Sequence, residues 1–157
     1  MAFDGIVIAN LAKELNHKLA DGRITKIAQT ESDKLLLTIK KSISSPEQKT
    51  IRTQNRLVIS VNPSLPLLYL TQENQNAPLQ APTFCMVLRK HLNNCKINLI
   101  EQIGLERVLC MHLEHLNEMG DYCRKKLYIE LMGKHSNIIF CDENDHQTYL
   151  CISQLSS

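Results

Sequence analysis

Apolar residues recur at Ile8, Leu11, Ala12, Leu15 and Leu19, spaced by three and four, while Lys13, Glu14 and Lys18 fall between them. That is the helical period, and it predicts an amphipathic helix over residues 5 to 20. Asp4 stands where its carboxylate would cap the first turn. Asp21-Gly22 closes the pattern, with Gly22 expected in the left-handed position that ends a helix. The period then falls to two: RITKIAQT, DKLLLTIKK, KTIRTQ and RLVISVN read as strands of an antiparallel meander, separated at Glu31-Ser32-Asp33, Ser44-Ser45-Pro46 and Gln54-Asn55.

Residues 71 to 82 (TQENQNAPLQAP) keep neither period and contain two prolines, which predicts an exposed loop. Pro82-Thr83 opens a second helix over residues 83 to 94, with Phe84, Val87, Leu88 and Leu92 on one side, Arg89 and Lys90 outward, and Asn93-Asn94 as its stop. KINLIEQI, RVLCMHLEH, YCRKKLYIEL, NIIFCD and TYLCIS return to strand spacing. Two strand blocks, each preceded by a helix, imply an α+β fold arranged as an antiparallel β-sandwich with flanking helices.

Length and composition leave this picture intact. A chain of 157 residues fits one domain with its own core, and 43% hydrophobic against 22% charged residues is ordinary globular usage. The net charge is only +2, so nucleic-acid binding would have to rest on local patches. No basic stretch precedes the first apolar run, and no run nears the roughly 18 residues of a membrane span, which points to a cytoplasmic protein without membrane contact. Cys85, Cys95, Cys110, Cys123, Cys141 and Cys151 lie 10 to 18 residues apart with no C-x-x-C pair, as expected of reduced core thiols.

Catalytic and metal motifs are weak. His112 and His115 fall three apart on a strand, hence on opposite faces, and Asp142, Glu143 and Asp145 resemble a solvated turn more than a calcium loop. With no phosphate loop, nucleophile elbow or zinc helix motif, neither a catalytic residue nor a metal or other cofactor is expected, and the domain alone should not be an enzyme. Three basic groups carry more information: Arg89-Lys90-His91, Arg124-Lys125-Lys126 and Lys134-His135. Each could be a solvated face. Together they suit backbone phosphates, and the scarcity of aromatic residues favours structured RNA over unpaired strands.

The segments MAFDGIVIANLAKELNHKLADGRITKIAQ, PTFCMVLRKHL, EQIGLERVL and YIELMGKHSNIIF, in this order, resemble the N-terminal domain of the NFACT family over about residues 1 to 141. Members of that family were first described as fibronectin- or fibrinogen-binding proteins. The resemblance implies a fold similar to the N-terminal domain of formamidopyrimidine-DNA glycosylases, and a piece of a longer multidomain protein. It implies a role in ribosome quality control: binding stalled large ribosomal subunits that carry peptidyl-tRNA, and recruiting alanyl-tRNA to tail the nascent chain. The alternative is a cell-surface adhesin with fibronectin or fibrinogen as partner. Glycosylase chemistry would need a proline after Met1, and Ala2 stands there. In the family a G-L-D-R segment and an early Asp are associated with tRNA recruitment. The matching residues are Glu106, Arg107 and Asp4, with Glu106 one methylene longer than the family's aspartate. Ribosome or RNA contact is expected from Arg89, Lys90, Arg124, Lys125, Lys126, Lys134 and His135.

Overall fold

The computed structural model describes residues 5–142 and 149–152. Helix α1 (Gly5–Leu19) leads into β1 (Arg23–Glu31), β2 (Lys34–Ser45), β3 (Gln48–Ser60) and β4 (Leu67–Thr71). Helix α2 (Thr83–Leu92) then precedes β5 (Lys96–Gln102), β6 (Val108–Leu116), β7 (Tyr122–Glu130), β8 (Asn137–Asp142) and β9 (Tyr149–Cys151). The fold is α+β and antiparallel, as the periods imply. Among the described residues the nine strands form one sheet in the order β4-β3-β2-β1-β5-β6-β7-β8-β9.

The two strand blocks are therefore continuous, but their seam is short. β1 and β5 share the single register pair Arg23↔Lys96. Around it Ile97 N donates to Gly22 O, Asp21 N to Ile97 O, Ile24 N to Cys95 O and Asn94 N to Ile24 O. Both seam strands are bulged, β1 between Ile24 and Lys26 and β5 between Ile97 and Leu99. A strict alternation would send residues three apart to opposite faces. The extra residue instead lets Ile24 and Ile27, and likewise Ile97 and Ile100, all enter the core. Asn16 of α1 accepts a hydrogen bond from Ile100 N at 2.9 Å, satisfying a donor just past the bulge.

Each helix leans on the block it does not precede: α1 packs mainly on β5, and α2 on β1. The buried face of α1 is Ile8, Ala12, Leu15 and Leu19, and that of α2 is Phe84, Cys85, Leu88 and Leu92. They join strand residues of both blocks in one cluster, in which each fully buried Ile, Leu or Phe contributes roughly 1.5–3 kcal/mol of transfer free energy.

Several local expectations shift. The left-handed residue after α1 is Asp21 (φ 70), one of the few side-chain types that tolerate it, and not Gly22. Gly22 is required for space, since a Cβ there would stand 2.8 Å from Ile39 Cγ2. The break expected at Gln54-Asn55 is absent because Gln54 pairs with Lys40 and Asn55 with Ile39, so β3 runs unbroken. Strand β4 was not foreseen, while residues 72–82 contain no helix or strand. Asp4, Glu143 and Asp145 lie outside the described residues. All six cysteines are free thiols, and Cys85, Cys95, Cys110 and Cys141 are buried.

Candidate functional site

One end of the second strand block gathers three chain segments. The β5–β6 loop, residues 103–107, is exposed throughout and turns at Gly104 (φ 59). Ile103 N donates to Val108 O and Glu106 N to Ile103 O, which close the loop internally. Gln102 Nε2 ties it to the start of α1, donating to Gly5 O at 2.9 Å and to Glu106 O at 2.8 Å. Gly5 itself lies so close that a Cβ would stand 2.7 Å from Leu105 O. On the other side Leu131 N donates to Arg107 O at 2.9 Å, and the 3-10 turn Gly133–His135 follows directly.

Glu106 and Arg107 are thus held between the α1 terminus and the turn bearing exposed Lys134 and His135. Of the residues that the resemblance singles out, Glu106 and Arg107 share this loop, while Asp4 lies outside the described residues. Sequence reasoning missed a further acid. Glu130 pairs in register with Val108, and burial, followed by repulsion from Glu106, pushes its carboxyl above the usual range. Arg107 is exposed, adjoins Glu106 in the chain and lies one residue from the Val108 that pairs with Glu130; carboxylates beside an arginine can orient its planar fork toward a phosphate or base edge.

The other basic groups do not join this site. Arg124 lies six residues from Glu130 along β7, roughly 20 Å at strand rise. Arg124 and Lys126 share the outer sheet face and line a groove of about 280 Å³ with Asn98, Leu99 and His112, whose Nε2 sits 3.0 Å from Glu101. Lys125 points to the opposite face and is only 6% exposed. Its Nζ donates to the last-turn carbonyl of His91 at 3.0 Å, a cation closing the C-terminal end of α2. Lys125 is thus withdrawn from the surface cations expected to meet RNA.

Burial and the Lys125 charge hold His91 and His115 below the ordinary histidine range, and burial pushes Cys95, 3.7 Å from His115 Nδ1, up to about 11. Arg89 also has a structural task. β1 loses its strand partner on the β5 side beyond the seam, and Arg89 Nε donates to the Ile27 carbonyl there at 2.8 Å. Lys90 is exposed. Among the described residues no group of three His, Cys, Asp or Glu side chains is placed to hold a metal ion, and no helix is long and apolar enough to cross a membrane.

This architecture is that of the solved N-terminal domains of fibronectin-binding proteins. The N-terminal domain of fibronectin-binding protein PavA from Streptococcus pneumoniae superposes with TM-score 0.82 at 37% identity, over 96% of this chain and 54% of that one. The N-terminal part of the fibronectin/fibrinogen-binding protein from Streptococcus suis gives 0.83 at 32% identity, over 96% and 53%. Residues 4–157 match the family of NFACT N-terminal and middle domains, and the chain belongs to that family. Curated relatives include Rqc2 homolog RqcH of Bacillus subtilis, 39% identical over 90% of this chain, and that of Streptococcus pneumoniae, 38% identical over 94%. The chain spans only 23% and 25% of the length of those two proteins.

Proposed function

We propose that this domain is the tRNA- and ribosome-contacting module of an RqcH-like quality-control factor. It would act in the cytoplasm on large ribosomal subunits that retain peptidyl-tRNA. In this reading it binds and positions, and performs no catalytic step of its own; addition of alanine to the stalled chain belongs to the whole factor and its aminoacylated tRNA. The supporting observation is the loop of Glu106 and Arg107, braced by Gln102, Gly5 and Leu131 so that an exposed arginine is presented from fixed backbone. A charge-assisted contact of this kind contributes about 1.5–3 kcal/mol, so its loss should be visible as a tenfold or larger fall in affinity.

The test is filter binding of tRNA to the 157-residue chain. Arg107→Ala should weaken binding by about tenfold or more, and Glu106→Asp should bind as the native chain does. Equal binding by Arg107→Ala would leave the loop as a structural brace. The names of the two streptococcal structures support a second reading, adhesion to fibronectin. Saturable binding to immobilised fibronectin, without binding to tRNA or large subunits, would favour it.

A further inference from the structure

The excess positive charge of the chain is concentrated in a part of the fold that no basic motif marks. β1 ends its pairing with β2 at Arg23↔Lys40, and β4 pairs only with Arg56–Ser60 of β3. Residues 41–53 are therefore a two-stranded ribbon with no third strand among the described residues, held by Lys41↔Thr53, Ser42↔Arg52 and Ile43↔Ile51. From Lys41 to its turn it extends about 16 Å beyond the sheet. Residues 40–53 hold Lys40, Lys41, Lys49 and Arg52 against Glu47, a net +3, while the whole chain carries +2. Everything outside this segment therefore nets −1.

The ribbon also departs from ordinary surface chemistry. Ile43 and Ile51, paired across it, are 49% and 52% exposed; alternation puts Lys41 on their face, and Lys49 follows beyond a register shift near the turn. Lys40 and Arg52 take the other. An isolated two-stranded ribbon is marginal in water, and an apolar pair ringed by cations gains most when it lies against a polyanion with apolar sugar edges. We infer that the β2–β3 ribbon is a second RNA contact, set edge-on into structured RNA so that Lys41 and the isoleucine pair on one face meet phosphates and riboses while Lys40 and Arg52 on the other reach phosphates across it. The shallow minor groove of an A-form helix, lined by 2′-hydroxyls, admits such an element without base reading. The inference rests on the RNA-binding function proposed above, but uses residues remote from Arg107.

The same cations could instead only guard an open strand edge against self-association. The experiment separates these. A fluorescein-labelled 20-base-pair RNA hairpin is titrated with the native chain, with Lys41→Gln/Lys49→Gln/Arg52→Gln, and with a chain whose residues 42–52 are replaced by Asn-Gly, at several salt concentrations. Both variants should bind at least tenfold more weakly at about 0.1 M salt, and the slope of log affinity against log salt should fall by about 2–3 for the triple variant, near 0.9 for each phosphate no longer neutralised. Native-like affinity and slope in the two variants would overturn the ribbon contact while leaving RNA binding in place. Unchanged affinity with new oligomers in sedimentation would assign the cations to edge protection and overturn it equally. Failure of the native chain to bind the hairpin would remove the underlying RNA reading, and the ribbon contact with it.

Discussion

Replacing Gly5 with alanine tests how tightly the candidate loop is braced. In an open helix the change is favourable, because alanine exceeds glycine by up to ~1 kcal/mol of helix propensity. Here the new Cβ would stand 2.7 Å from the Leu105 carbonyl oxygen, 0.7 Å short of the 3.4 Å at which ordinary contact begins. Both partners are backbone, so no side chain can swing away. Either the first turn of α1 or the Glu106–Arg107 loop must move, straining the Gln102 bridge to Gly5 and Glu106. Overpacking of this kind costs about 1–3 kcal/mol, which outweighs the propensity gain and leaves a net loss of about 1 kcal/mol. For a domain of this size that lowers Tm by roughly 2–4 °C. Exposed Asn10 on the same helix is the control, where alanine should raise Tm slightly. Calorimetric melting of the two variants beside the native chain decides the matter. A Gly5→Ala chain that gains stability as Asn10→Ala does would show that the close approach is not real, and with it the rigid presentation of Arg107.

Lys125→Ala should destabilise by about 2 kcal/mol in urea unfolding, since it leaves the His91 carbonyl only the weak Cys95 thiol donor and opens space under α2, whereas Arg124→Ala should stay within about 0.5 kcal/mol. Equal effects would return Lys125 to the surface. Glu130 is held above its ordinary value of 4.5, so the unfolded chain loses that proton first as pH rises. Its stabilising contribution is full below pH about 4.5 and is lost as pH climbs through the raised folded-state value. Glu130→Gln should therefore be slightly more stable than the native chain at pH 7 and lose this advantage at pH 4, a difference read from unfolding midpoints at the two pH values.

The regular parts of this fold were legible because period alone separates helix from strand, and both helices and most strands fall where the spacing puts them. What escaped depended on partners distant in sequence. The polar pair Gln54-Asn55 reads as a break until Lys40 and Ile39 are found opposite it. Glu130 looks like one more surface acid until register sets it beside the Glu106–Arg107 loop. Arg89 serves an edge carbonyl 62 residues away, which no local pattern encodes. Lys125 is different, because its signal was present: it stands in step with Leu127 and Ile129, on the inward face of β7, while Arg124 and Lys126 alternate outward. Glu106 and Arg107 were singled out by family resemblance alone, since neither charge nor spacing marks a loop pinned to a helix terminus.

The crossed packing of the two helices also decides how the chain can be divided. A cut within residues 72–82 severs no helix or strand and leaves one piece with α1 and β1–β4 and another with α2 and β5–β9. Neither piece would keep its helix's main support, because α1 rests on β5 and α2 on β1. Each half carries the cover that its counterpart lacks, so the pieces should find one another in solution and rebuild the seam. The domain is in this sense a ready-made split reporter, whose reassembly depends on the mutual loan of two helices.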